Sequence, residues 1–229
     1  MSLEPPHPPY AAPAAGVAAR DPREIVLAPN VPRGGQVEAK ARLELAGYYS
    51  HLEATDRAIG RLLARLPSDD MIVVVTAVHG DMHGAHGLFR KGWPHEESVR
   101  VPLLVQGAHR DGAGCWVMGP GSGGRSDELV SMLDLPHWAG EWAESPQGKT
   151  RDASPSMEIQ RISMPSVVRV PQQCDRVWRG VRTASRKLVV NADGAPWLCF
   201  DLTRDPGEER NLVGAAAYTA EWMALRRWL

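Results

Sequence analysis

Met71-Ile72-Val73-Val74-Val75-Thr76-Ala77-Val78 runs directly into His79-Gly80-Asp81-Met82-His83-Gly84-Ala85-His86-Gly87-Leu88-Phe89-Arg90-Lys91-Gly92-Trp93. The first eight residues are apolar and largely β-branched, too short for a buried helix, and predict a central strand of a sheet covered on both faces. The histidine- and glycine-rich stretch leaves the carboxyl end of that strand, where open α/β sheets place their ligand sites. Beyond the loop a second apolar run, Val101 to Val105, predicts another buried strand. Upstream, from Glu38 to Leu66, the residues Leu45, Tyr49, Leu52, Ile59, Leu63 and Leu66 recur at three- and four-residue steps among Arg and Glu. That period predicts a long amphipathic helix, stopped by Pro67 and followed by a turn at Ser68-Asp69-Asp70. Helix, buried strand, polar loop and buried strand in this order indicate an α/β fold.

Working outward, residues 1–36 carry Pro at positions 5, 6, 8, 9, 13, 22, 29 and 32. Proline fixes φ and removes backbone donors, so this is an extended, irregular lead-in. Gly107 to Gly124 reads as a Gly-rich loop, and Asp127 to Trp142 as a short strand and then a helix beginning near Pro136. Residues 143–173 lack clear periodicity and read as a connector. After it, Val177–Thr183, Lys187–Val190 and Pro196–Leu202 alternate apolar and polar. The last two are joined by Asn191-Ala192-Asp193-Gly194, whose Asp-Gly favours a hairpin turn. A closing helix is expected from about Ala215 to Leu229. The division read from the sequence is thus 1–142, an α/β part; 143–173, a connector; and 174–229, a small antiparallel subdomain.

Composition narrows the function classes. Of the 229 residues 43% are apolar, enough for a buried core. Lys and Arg total 26 against 27 Asp and Glu, a formal charge of −1, so no global basic field exists to hold nucleic acid or an anionic membrane. No run reaches the roughly eighteen consecutive apolar residues of a membrane span. The start, MSLEPPHPPY, lacks the basic and apolar regions of a secretory signal. As written, the chain reads as soluble and cytoplasmic, with no nucleic-acid and no membrane partner. Cys115, Cys174 and Cys199 are odd in number, far apart and without a CxxC pair, and read as ordinary thiols.

The loop after the first strand concentrates the candidate chemistry. His79, His83 and His86 with Asp81 offer imidazole and carboxylate donors that a divalent ion accepts. The same residues also read as a polar loop whose glycines serve positive φ, and their spacing matches no short zinc motif. Lys91, beside Gly92 and aromatic residues, reads either as a compact cation for an anionic group or as a surface lysine.

TAVHGDMHGAHGLFRKGWPHEESVRVPLLVQG, residues 76–107, resembles the sulfatase segment T-S-D-H-G-D-M-x-G-x-H-G-L-x-x-K followed by Y-E-E-S-x-R-V-P-L. Ser2-Leu3-Glu4-Pro5-Pro6-His7-Pro8-Pro9-Tyr10 resembles that family's P-H-x-P-[FY] segment, and Gly47-Tyr48-Tyr49 through Asp56 to Gly60-Arg61-Leu62-Leu63 resembles its helix. Downstream, Trp178 to Thr183, Lys187-Leu188, Phe200-Asp201-Leu202 to Asp205-Pro206, and Asn211-Leu212 resemble its C-terminal subdomain. The resemblance implies a partial alkaline-phosphatase-like α/β sheet with covering helices, followed by a small antiparallel sheet and closing helix. It implies hydrolysis of a small-molecule or glycan sulfate ester with a divalent metal, Ca or Mg, and a formylglycine made from Cys or Ser. Carried over by motif, Lys91 and His7 are the catalytic cations that also contact the substrate sulfate, and His79 stands at a metal-ligand position. The same context makes Asp81, His83 and His86 loop-shaping or rim residues. Glu96, Glu97 and Arg100 are expected to bind backbone or each other.

Two departures bear on activity. Where the family has Asp before His79 this sequence has Val78, which cannot donate an oxygen to a hard cation, so metal binding is expected to be weak or absent. The family's N-terminal half, with its paired metal-binding Asp and its C/S-x-P-x-R nucleophile motif, has no counterpart in these 229 residues. The resemblance is therefore to the C-terminal half of a sulfatase. An incomplete sheet is expected to leave an edge or apolar face open to self-association. Three readings stand: part of a sulfate-ester hydrolase, inactive by itself; a non-catalytic module that keeps Lys91 and His7 for sulfated ligands; or a truncated, non-functional fragment. A phosphate or phosphonate ester hydrolase fits the same superfamily architecture.

Overall fold

A computed structural model of the chain describes residues 1–10, 17–66, 71–110, 116–118, 124–144, 158–167, 170–216 and 219–229. They fall into two compact units, Met1–Pro67 with Asp81–Lys91, and Ser68–Gly80 with Gly92–Leu229.

The first unit is built on one helix, α1, Gln36–Leu63. The carboxylate of Glu38 reaches back to accept from the Gly34 amide at 2.7 Å and pairs with Arg42, which ties the residue before the Gly35 cap to the first turn. The lead-in is irregular, as its prolines require, apart from a short 3₁₀ turn at Pro22–Glu24 capped by the Asp21 side chain. Its apolar residues are nevertheless ordered: Ile25, Leu27 and Val31 are buried against Ala41, Leu45 and Ala46 of α1, together with Phe89. The buried residues of α1 are thus confined to the stretch from Ala41 to Ser50: Ala41, Leu45, Ala46 and Ser50. The longer apolar stripe expected from the sequence does not form, since Tyr49, Leu52 and Leu66 are exposed. The physical reason is close approach. Small residues let the lead-in and the 81–91 loop lie against the helix at Ala41 and Ala46, whereas the bulkier stripe continues past them.

In the second unit, β1 (Val73–Thr76) pairs antiparallel with β2 (Leu103–Gln106), with Val73 opposite Gln106 and Thr76 opposite Leu103. Between them lies the one-turn helix α2, Glu96–Val99. Expected to be covered on both faces, these strands pack on one among the described residues, with Val73 and Val75 of the other face half-buried. Ile72, Val74, Leu103 and Val105 pack on Trp138 and Trp142, while Leu104 on the opposite face is 59% exposed. The two tryptophans belong to α3, Leu135–Glu144, which follows a 3₁₀ turn capped by Ser131 and starts one residue before Pro136. No strand precedes it among the described residues 124–131. The segment read as a Gly-rich loop contains a short antiparallel hairpin of β3 (Ala108–Arg110) and β4 (Trp116–Met118).

The remaining strands form one antiparallel sheet in the order β5 (Gln160–Met164), β6 (Trp178–Arg182), β7 (Arg186–Asn191) and β8 (Pro196–Asp201). β5 comes from the stretch read as a connector. Its alternation is only five residues long, too brief to stand out from its Ser- and Arg-containing surroundings. The β7–β8 turn is the expected Asp-Gly hairpin, with Gly194 at φ +83 and the Gly194 amide donating to Asn191 O. One face packs Val181, Leu188 and Cys199 against Leu212, Leu225 and Trp222. The last two belong to the closing helix α4, Thr219–Arg226. The other face packs Trp178 and Val189 with Cys174, Trp93, Val99 and Ile162.

A charge is buried inside this unit. Lys187 is fully buried, and its Nζ lies 2.7 Å from Glu96 Oε1, 2.6 Å from Glu208 Oε1 and 3.0 Å from the Pro94 carbonyl. Arg182 adds a two-pronged contact to Glu96 at 2.9 and 3.0 Å, and the Glu96 amide donates to Glu208 Oε2 at 2.8 Å. Burial raises both carboxyls, but on Glu96 the two cations outweigh it and hold the group down at about 2. On Glu208, which shares a single cation, burial prevails and its carboxyl sits above the usual range. The sequence places the partners of Glu96 on nearby backbone or neighbouring charges; they come instead from the strands β6 and β7, because the chain folds this short helix against the antiparallel sheet. Removing one member of such a network leaves the others charged and dry. Lys187→Met is therefore expected to lower the unfolding free energy by about 3–5 kcal/mol, and Lys187→Met with Glu208→Gln to recover part of it. Urea titration followed by tryptophan fluorescence measures both, and a loss below about 1 kcal/mol, the scale of an exposed pair, would contradict the network.

Candidate active site

In the first unit the loop Asp81–Lys91 is packed rather than solvated. Met82, Ala85 and Phe89 are buried. The loop closes on itself through Met82 N to Arg90 O at 3.0 Å, Gly84 N to Leu88 O at 2.8 Å and Leu88 N to Ala85 O at 2.9 Å. Gly84 is required here twice over. Its φ is +92, and a Cβ on it would lie 2.7 Å from Ala41 Cβ of α1. His83, His86 and Arg90 also occupy the left-handed region, at φ 45, 55 and 65, a cost that persists only where surrounding contacts over-determine the backbone.

Those contacts are specific. Asp81 Oδ1 accepts from the amides of His83 at 3.1 Å and Arg90 at 3.0 Å, and Asp81 Oδ2 accepts from the Tyr10 hydroxyl at 2.8 Å. The Arg90 guanidinium is bidentate to Glu44 of α1 at 2.7 and 2.9 Å and lies over the Tyr10 ring. His86 meets Asn30 through its amide and its Nε2. His83 lies between the rings of Tyr48 and Tyr10, at 4.5 and 5.4 Å. Burial pushes its imidazole below the ordinary value despite the nearby Asp81 and Glu44. Burial, and then Asp81, pushes the Tyr10 phenol well up. Asp81, His83 and His86 are thus engaged in shaping the loop.

Lys91 closes this loop, and the structure brings it to His7. Nζ of Lys91 lies 2.6 Å from Nε2 of His7, across 84 positions of sequence. His7 Nδ1 faces the Pro8 carbonyl at 2.9 Å, with Glu4 at 3.5 Å. That contact assigns the ring proton to Nδ1 and leaves Nε2 as the acceptor of a Lys91 N–H. The family resemblance names His7 and Lys91, and the structure sets the two side chains at hydrogen-bond distance, but the fittings around them are not written in the sequence. Arg90, Glu44 and the tyrosine hydroxyl give no local signal, because their partners lie 46 and 71 residues away.

His79 and Val78 belong to the second unit. His79 Nδ1 lies 2.9 Å from the Gly80 carbonyl, and the Gly80 amide donates to Ser98 O at 2.9 Å. A Cβ at Gly80 would overlap the Glu97 carbonyl, so glycine permits this close approach to α2. Val78 is 94% exposed, and a hydrocarbon side chain there offers no lone pair to a hard cation. Among the described residues no three His, Cys, Asp or Glu side chains gather as a set that could hold a metal ion. At position 78 itself, a valine does not fit a hard divalent cation. Of the three histidines of this stretch, His79 belongs to the second unit and His83 and His86 to the first. Cys174 and Cys199 are buried free thiols, and burial pushes Cys199 up to about 12, which suits packing rather than nucleophilic attack. Cys115 lies outside the described residues. No helix among the described residues is long and apolar enough to cross a membrane.

Comparison with known proteins gives a consistent picture. The family model described as Sulfatase matches residues 5–145. An ulvan-active sulfatase of Formosa agariphila is 31% identical over 225 residues, covering 93% of this chain and 43% of its own length. A solved complex with the substrate D-glucosamine-2-N,6-O-disulfate is similar with a TM-score of 0.62 at 21% identity, over 86% of this chain and 42% of that one. The phosphonate monoester hydrolase of Agrobacterium radiobacter is similar with a TM-score of 0.60 at 20% identity, over 83% and 42%. The chain spans less than half the length of these proteins. The structural likeness at low identity supports an alkaline-phosphatase-like α/β fold. A family match over more than half of the chain, joined to a relative above 30% identity along nearly all of it, establishes that this protein belongs to the sulfatase family.

Proposed function

We propose that His7 and Lys91 bind the sulfuryl group of a sulfate ester, and that the chain contributes this anion-binding part to sulfate-ester hydrolysis without performing it alone. The observation that carries the reading is the 2.6 Å approach of Lys91 Nζ to His7 Nε2. An incoming sulfuryl oxygen can replace the imidazole as acceptor of the Lys91 N–H, and the imidazole, on taking a proton at Nε2, can then donate to the same anion. Two nitrogen groups so placed would offset the charge that grows on the sulfuryl and leaving oxygens as the ester bond breaks. The ulvan-active relative and the disulfated glucosamine complex support a sulfated glycan as the ligand class. A phosphonate or phosphate ester is a second reading, favoured by the phosphonate monoester hydrolase neighbour, since the cation pair does not by itself distinguish the two anions.

Binding of inorganic sulfate, followed by chemical-shift changes, is expected to centre on His7 and Lys91 and to weaken about ten-fold or more in Lys91→Ala, the scale of a lost charge-assisted hydrogen bond. Affinity indifferent to Lys91 would overturn the reading.

No Cys or Ser of the 229 residues sits in a C/S-x-P-x-R motif, so the chain alone is expected to release no sulfate from an aryl sulfate above background. When it is joined to a sulfatase N-terminal half with a modified nucleophile, turnover is expected to rise with Val78→Asp and to fall about 10²-fold with Lys91→Ala. A joined protein indifferent to both substitutions would mean that neither position takes part.

With valine at position 78, the chain is expected to bind Ca²⁺ or Mg²⁺ no tighter than about millimolar, because hard cations need several oxygens. One micromolar site in calorimetry would contradict this.

A further inference from the structure

We propose that Tyr10 and Asp81 are positioning residues that set the spacing of His7 and Lys91; this rests on the reading of that pair as the anion-binding cations. His7 sits in Pro5-Pro6-His7-Pro8-Pro9, where four residues lack a backbone donor, so no ladder of main-chain bonds can hold it. Apart from the contact with Lys91, its bonds are local, His7 N to Glu4 O and Nδ1 to Pro8 O. The segment is secured three residues later. Tyr10 is buried, and its carbonyl lies against α1 where a Cβ on Gly47 would overlap it. Its hydroxyl ends on Asp81 Oδ2.

Lys91 is secured from the other side of the same carboxylate. The amide of Arg90, the residue before it, donates to Asp81 Oδ1, while the Arg90 side chain grips Glu44 and keeps that residue in its left-handed conformation. One carboxylate therefore joins the residue three after His7 to the residue just before Lys91. The path Tyr10 Oη, Asp81, Arg90 N is a polar link, besides the His7–Lys91 contact itself, between the two segments of remote sequence that carry the pair. Small errors in such spacing are costly, because an anion must meet both groups at hydrogen-bond distance at once.

Tyr10→Phe keeps the buried ring and removes only the hydroxyl. Asp81→Asn keeps an acceptor for the amides and puts an NH₂ group in place of the charged oxygen that faces Tyr10, so the charge-assisted bond from the hydroxyl is lost. In the isotope-labelled full chain, a nuclear Overhauser effect between the His7 ring and the Lys91 ε-methylene is expected, and is expected to vanish in either variant while the amide spectrum stays folded. Affinity for inorganic sulfate should fall about three-fold or more in each, the scale of one hydrogen bond, with no further fall when the two are combined. Persistence of the Overhauser effect in both variants, its absence from the unmodified chain, or Lys91-dependent sulfate binding that neither substitution changes would overturn the positioning role. Disappearance of the effect in both variants, in a chain whose sulfate affinity does not depend on Lys91, would support the positioning role and overturn the anion-binding reading instead.

Discussion

A carboxylate with both oxygens engaged is the constraint on which the first unit depends. Asp81 accepts from two amides of its own loop and from the Tyr10 hydroxyl, so it closes the loop and ties the proline-rich lead-in to it. Without those bonds, three non-glycine residues at positive φ would have little to hold them there. The glycines complement the carboxylate by permitting close approach. Gly84 lets the loop reach Ala41, and Gly47 lets the Tyr10 backbone reach α1. The result is a short rigid platform carrying Lys91 at its end, in a segment whose composition suggests a solvated polar turn.

The two lysines of interest show how burial decides what a charge can do. Lys187 is buried between two carboxylates and a carbonyl, so its charge is neutralised within the fold, and its removal is a matter of stability. Lys91 lies against the His7 imidazole instead, the arrangement on which the proposed anion binding rests. The residue types are the same, and a sequence motif alone does not separate them. Their immediate partners do.

The elements most legible in the sequence are those with local, strong periodicity. The helix Gln36–Leu63, the Asp-Gly hairpin between β7 and β8, and the helix near Pro136 follow from spacing, turn chemistry and proline placement. β5 is illegible because five residues with modest apolar content carry little signal until β6 pairs with them. The face of β1 and β2 that carries Leu104 cannot be read as open, because a run such as Val-Val-Val-Thr is the same whether one or both faces are covered. His7 and Lys91 are legible only through family resemblance. The side chains that fix them, Tyr10, Asp81, Arg90 and Glu44, depend on partners 46 and 71 residues distant, a separation that no local pattern encodes.

The segment after His79 is thus a packed, internally bonded platform. Amide hydrogen exchange of the unmodified chain tests it most directly. Met82, Gly84, Leu88 and Arg90 each donate to an internal acceptor, so their amides should exchange orders of magnitude more slowly than an open chain, on a par with the first half of α1. Exchange of these four amides at unprotected rates, with the first half of α1 protected, would contradict the account.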